Sequence, residues 1–137
     1  MTTEEYLDQI KKYDEMIKNR EEDYQRKVEK ASSLGGFSVT ERVQSSRNLH
    51  KDQDAIAEYL DIERDIARLK EKRQKIIALI ERLPFIEYKV IYILFVKEGD
   101  FALKDVAWEF HRSYDWAKKR KRKALRMIQR MREEGNS

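Results

Sequence analysis

A chain of 137 residues that is 41% charged and 40% hydrophobic, with only 4 Gly and 1 Pro, has too few breakers for a loop-rich β fold or a Pro/Gly-rich disordered chain. Its apolar content suits narrow helix–helix seams rather than a deep interior. The absence of Cys excludes disulfides, thiolate metal sites and Cys nucleophiles together.

The opening Met1-Thr2-Thr3-Glu4-Glu5-Tyr6-Leu7-Asp8 is polar and acidic, unlike a signal peptide. The first predicted element is a helix over 4–31. Tyr6, Ile10, Tyr13, Ile17, Tyr24, Val28 and Ala31 recur at heptad spacing, with Arg20 in the one skipped position. So narrow a seam must pair with another helix. Ser32-Ser33-Leu34-Gly35-Gly36-Phe37-Ser38 breaks the pattern as a loop. With no preceding strand and no Gly-Lys-Ser/Thr, it is not a phosphate-binding loop. Residues 40–51 read either as a frayed helix start or as a connection. A second helix follows over 52–82, with Ile56, Tyr59, Ile66, Leu69, Ile76, Ile80 and Leu83 on one stripe and Glu63 and Arg73 at skipped positions. Residues 1–82 are thus two long heptad-patterned helices joined by a loop at 32–51. They are expected to form an antiparallel hairpin or a coiled coil that mediates self-association as a homodimer.

Leu83-Pro84 ends the second helix, because a residue before proline is pushed out of the α region. The run Val90 to Val96 has strand-like composition, yet Ile86, Val90, Ile93 and Leu94 share a helical face, and Gly99 is placed as a C-cap. That run is also the longest apolar stretch, far short of the ~20 residues of a membrane span, so a soluble, cytoplasmic chain is expected. A short helix from Leu103 to Phe110 turns Leu103, Val106, Ala107 and Phe110 inward. Ser113 is an N-cap for a helix from Tyr114 to about Arg132, with Ala117, Ala124, Leu125, Ile128 and Met131 inward. Residues 83–137 therefore read as a helix-turn-helix unit, and the fold class as all-α.

Charge placement carries more than the net +4. Between Arg112 and Arg132 lie ten basic residues and one acid, Asp115, so this segment is +9 and the rest of the chain −5. Six consecutive Lys/Arg, Lys118 to Lys123, repel one another on a helix and point to a polyanionic partner. In a helix-turn-helix the second helix enters the major groove of double-stranded DNA. The outward residues expected to reach base edges are Tyr114, Asp115, Trp116, Lys118, Lys119 and Arg122, with packing against the preceding helix the alternative for Tyr114 and Trp116. Lys104, Arg112 and the later Lys/Arg residues, Lys123 and Arg126 among them, are expected at the sugar–phosphate backbone, and Ser113, the N-cap, is counted with the DNA-binding residues. Arg120 points partly inward, its stem on the core and its charge extended outward.

Leu83-Pro84, Val90-Ile91, Gly99, Lys104-Asp105-Val106-Ala107, Ser113 and Lys123-Ala124-Leu125-Arg126 occur in an order and spacing that resembles region 4 of the sigma-70 family. Over most of its length the chain is similar to the ArpU/RinA-type phage late-gene transcription regulators. These share the long N-terminal helix, the Ser-Ser-Leu-Gly-like loop, the second long helix and the sigma-like end. Ser113, Trp116, Ala124 and Leu125 match positions typical of that group. The resemblance implies a DNA-binding transcription activator of phage or mobile-element genes that contacts host RNA polymerase. Three residues depart from the pattern: Ala102 stands where a Ser/Thr cap is usual, His111 where the turn has glycine, and Arg120 where an apolar residue is common.

Enzyme chemistry finds no constellation. His50 and His111 are isolated, no third group orients a base beside His111 and Ser113, and Asp105 with Glu109 reads as a solvated pair. No cofactor and no metal are expected. The rival class is a helical interaction protein whose basic helix binds an acidic partner, RNA polymerase among them.

Overall fold

The computed structural model describes the backbone of residues 1–33 and 46–135 and the side chains of 1–29 and 56–135. The described residues form helices α1 (Thr3–Ser33), α2 (Ser46–Glu81), α3 (Phe85–Ile91), α4 (Leu103–Phe110) and α5 (Tyr114–Gly135), with α3 running on into a π-helical turn over Tyr92–Val96. The chain is all-α among these residues. The Gly35-Gly36 loop and the side chain of His50 lie outside them. No described helix is long and apolar enough to cross a membrane. α2 begins at Ser46, inside the stretch that the sequence left open.

Two compact units result. One is Glu15–Glu71; the other combines Met1–Asp14 with Lys72–Ser137. The division expected at residue 83 follows a change of element. Packing instead groups the first turns of α1 and the last turns of α2 with the C-terminal helices.

In the Glu15–Glu71 unit, Ile17, Ile62 and Leu69 are buried. Arg20 pairs with Asp65 at 3.4 Å, Glu21 with Lys70 at 3.6 Å and Lys27 with Glu58 at 3.0 Å. Broadly, partners fall along α2 as positions rise along α1, so the two helices run antiparallel here. These exposed pairs are each worth only about 0–1 kcal/mol and mark register rather than supply stability. Tyr24 and Tyr59 meet edge-on, 5.7 Å between ring centroids, and Tyr59 Oη donates to the Lys27 carbonyl at 2.7 Å. Ile56, expected on the inward stripe, is 55% exposed, and Ile62 is buried in its stead. The real seam is Tyr59, Ile62, Ile66 and Leu69, spaced alternately three and four, as a 3.6-residue turn requires.

The other unit has two clusters. The larger joins Leu7 and Ile10 of α1, Ile76 and Ile80 of α2, Leu83, Ile91, Phe95, and Ala124 and Ile128 of α5. The second joins Val90, Ile93, Val106, Ala107 and Ala117, with Leu103, Phe110 and Trp116 against it. α3 and its π turn are wedged between them: Ile91 and Phe95 face one cluster, Val90 and Ile93 the other. A helix buried on two sides is apolar nearly all round, which is why Val90–Val96 mimics a strand. Ile86, expected inward, sits at the edge of that face and is exposed. The π turn closes with Lys97 N–H donating to the Tyr92 carbonyl at 2.8 Å. Lys97, not Gly99, is the C-cap. Gly99 takes φ 111° in the connection to α4, where Lys11 Nζ donates to its carbonyl at 2.6 Å.

Candidate nucleic-acid interface

The segment from α4 to α5 is built from local chemistry. Ala102 has no side-chain acceptor, but Asp105 Oδ2 accepts the Ala102 N–H at 2.7 Å, so half of a capping box holds the start of α4. At its other end His111 adopts the left-handed conformation, φ 53° and ψ 44°. His111 N–H reaches the Trp108 carbonyl at 3.2 Å and Arg112 N–H the Ala107 carbonyl at 3.0 Å, the two bonds of a Schellman ending. A histidine thus performs the glycine's role at a steric cost. Ser113 Oγ then accepts the Trp116 N–H at 3.1 Å and caps α5. The turn between the helices is His111 to Ser113. Ala117, Ala124 and Ile128 bury one face of α5, with Leu125 and Met131 partly buried beside them.

That packing sorts the ten basic residues. Lys121 lies 3.7 Å from Glu4 and over the Phe95 ring, and Arg132 donates to Thr3 Oγ1 and stacks on Tyr6, 4.4 Å from its centroid. Arg120 Nη1 donates to Glu87 Oε1 at 3.0 Å, and Lys123 Nζ is 3.5 Å from the same oxygen. The other six, Arg112, Lys118, Lys119, Arg122, Arg126 and Arg130, are exposed and have no carboxylate partner among the described residues. Lys104 on α4 is likewise exposed and unpaired. Tyr114, Asp115 and Ser113 are exposed at the start of α5, where the Asp115 carboxylate also suits the helix dipole.

Two residues expected to face outward are otherwise engaged. Trp116 packs on Phe110, 5.1 Å between ring centroids, with the Arg112 and Arg120 guanidinium groups 5.7 and 5.5 Å from its ring. Its indole belongs to the smaller cluster because position 116 adjoins buried Ala117 at the α4 side. Arg120, expected to extend its charge to solvent, instead turns it onto Glu87.

Glu87 is the residue that sequence reasoning missed. It is 3% exposed in α3, on the face that carries Val90, Ile91 and Leu94. Burial pushes its carboxyl up. The backbone N–H bond, the Arg120 hydrogen bond and the positive charges of Lys123 and Arg120 outweigh that and hold it below the usual value. A carboxylate three and four residues before buried apolar positions was the available signal. Trp108, 80% exposed on the outer face of α4, was also missed.

Against known proteins, the chain matches no family model, no curated sequence and no solved structure.

Proposed function

We propose that this chain is a sequence-specific double-stranded DNA-binding transcription regulator, with α4 and α5 acting as a helix-turn-helix. One observation carries the reading: five exposed cations without acidic partners lie on one capped helix and a sixth, Arg112, in the turn before it, while Arg120, Lys121 and Lys123 of that helix are paired with carboxylates. A mere solvated face would interleave acids among them. α5 enters the major groove, Lys118, Lys119 and Arg122 donate to base acceptors, and Asp115 accepts from cytosine. Lys104, Arg112, Arg126 and Arg130 neutralise phosphates and set the register.

The resemblance to sigma-70 region 4 and the ArpU/RinA group extends the proposal. The protein activates phage or mobile-element genes in the bacterial cytoplasm, contacting host RNA polymerase through the same C-terminal helices. α1 and α2 form the hairpin that holds two copies together, so paired half-sites about one helical turn, ~34 Å, apart are read at once. In vitro transcription with host holoenzyme tests this part: output rises on a cognate promoter, whereas a fall assigns repression.

Salt titration of duplex binding tests the core of the reading. The four phosphate contacts of Lys104, Arg112, Arg126 and Arg130 give a slope of log affinity against log salt of about −3.6. Equal, weak and salt-independent binding of specific and random duplexes refutes it, in favour of an acidic protein partner.

A further inference from the structure

We infer that Trp108 is a sequence-independent contact to the sugar–phosphate backbone, its indole Nε1–H donating to a phosphate oxygen; this rests on the duplex-binding reading above. The chain's two tryptophans are used oppositely. Trp116 is packed on Phe110, whereas Trp108 is 80% exposed, and no side-chain hydrogen bond or ring contact among the described residues holds its indole. An indole left in water exposes a large apolar face and a donor that has no acceptor function. Tryptophan is a costly choice for a solvated helix face, so the side chain fits a partner that is apolar beside an acceptor-only group.

The charges around it say which partner. α4 carries two carboxylates, and both are engaged at the surface: Asp105 accepts the Ala102 N–H, and Glu109 pairs with Lys89 at 3.1 Å. Its one cation, Lys104, is unpaired and lies four residues before Trp108 on the same helix face. α4 therefore offers a free ammonium and a free N–H donor, while its carboxylates are already paired. A deoxyribose–phosphate strand meets both demands, with sugar against the ring and phosphate oxygen at Nε1–H. In a helix-turn-helix the first helix crosses the backbone while the second occupies the groove, which is where α4 then lies.

The test is duplex binding by the full chain and by Trp108→Ala, Trp108→Phe and Lys104→Ala, followed by anisotropy of labelled DNA over a salt series. Circular dichroism checks that the exposed substitutions leave the helices intact. Trp108→Ala is expected to weaken cognate and random duplexes alike, about tenfold, the size of a hydrogen bond to a charged group. Its salt slope stays that of the wild type, because no charge is removed. Trp108→Phe keeps the ring but loses the donor and recovers little. Lys104→Ala instead reduces the salt slope by about one. Wild-type binding with unaltered affinity in Trp108→Ala overturns the inference alone, as does full rescue by phenylalanine or a loss confined to one sequence. Absence of duplex binding by the wild type overturns the underlying reading.

Discussion

Removing the charge of Glu87 while keeping its shape, as Glu87→Gln does, strips the carboxylate that binds α3 to α5. In the native protein its side chain is 4% exposed and its Oε1 lies 3.0 Å from Arg120 Nη1 and 3.5 Å from Lys123 Nζ. Breaking a fully buried ion pair by removing one partner costs about 3–5 kcal/mol. Arg120 is about one-third exposed and Lys123 more than half, so both regain water and the cost is reduced to about 2 kcal/mol. For a chain of this length that is a fall in Tm of about 7 °C. The pH dependence follows from the depressed carboxyl. Its stabilisation is fully present above the unfolded-state value, ~4.3, and is lost as pH falls through the lower folded-state value. The gap between wild type and Glu87→Gln is therefore constant from neutral pH to about 5 and closes at more acid pH. Urea denaturation of both proteins at pH 7 and pH 3.5 measures it. Equal stability at pH 7, or a gap that persists undiminished at acid pH, refutes the assignment of Glu87 as a charged clamp.

Further outcomes concern the surface, the seam and the turn. Lys119→Ala and Arg122→Ala are expected to change base preference in a binding-site selection, whereas Arg130→Ala weakens every duplex by a similar factor. Ile17→Asp places a carboxylate in the buried seam of the Glu15–Glu71 unit and costs several kcal/mol in thermal unfolding. Sedimentation of the wild type reports separately on the proposed dimer, which a monomer at every concentration rejects. His111→Gly relieves the left-handed strain at φ 53° and raises stability by about 1 kcal/mol, and Ser113→Ala lowers it by about 1 kcal/mol through loss of the α5 cap.

Local chemistry alone determined much of this protein. Proline at 84, the Ser113 cap, the missing turn glycine at His111 and the 3.6-residue recurrence in α4 and α5 are signals within a few residues, and the elements they predict are those observed. The charge of α5 is likewise a property of its residues. Tertiary structure decided what each face meets. Periodicity places a residue on a helix only to within about one position, so Ile62, beside the skipped position Glu63, is buried, and Trp116 turns inward while Trp108 stays in solvent. It also says nothing of partners far along the chain. Glu87 and Arg120 are 33 residues apart, and Glu4 reaches Lys121 from the far end of the sequence. Those pairings separate the cations that stabilise α5 from the six left free, because a charge is neutralised only by what the fold brings within about 4 Å of it.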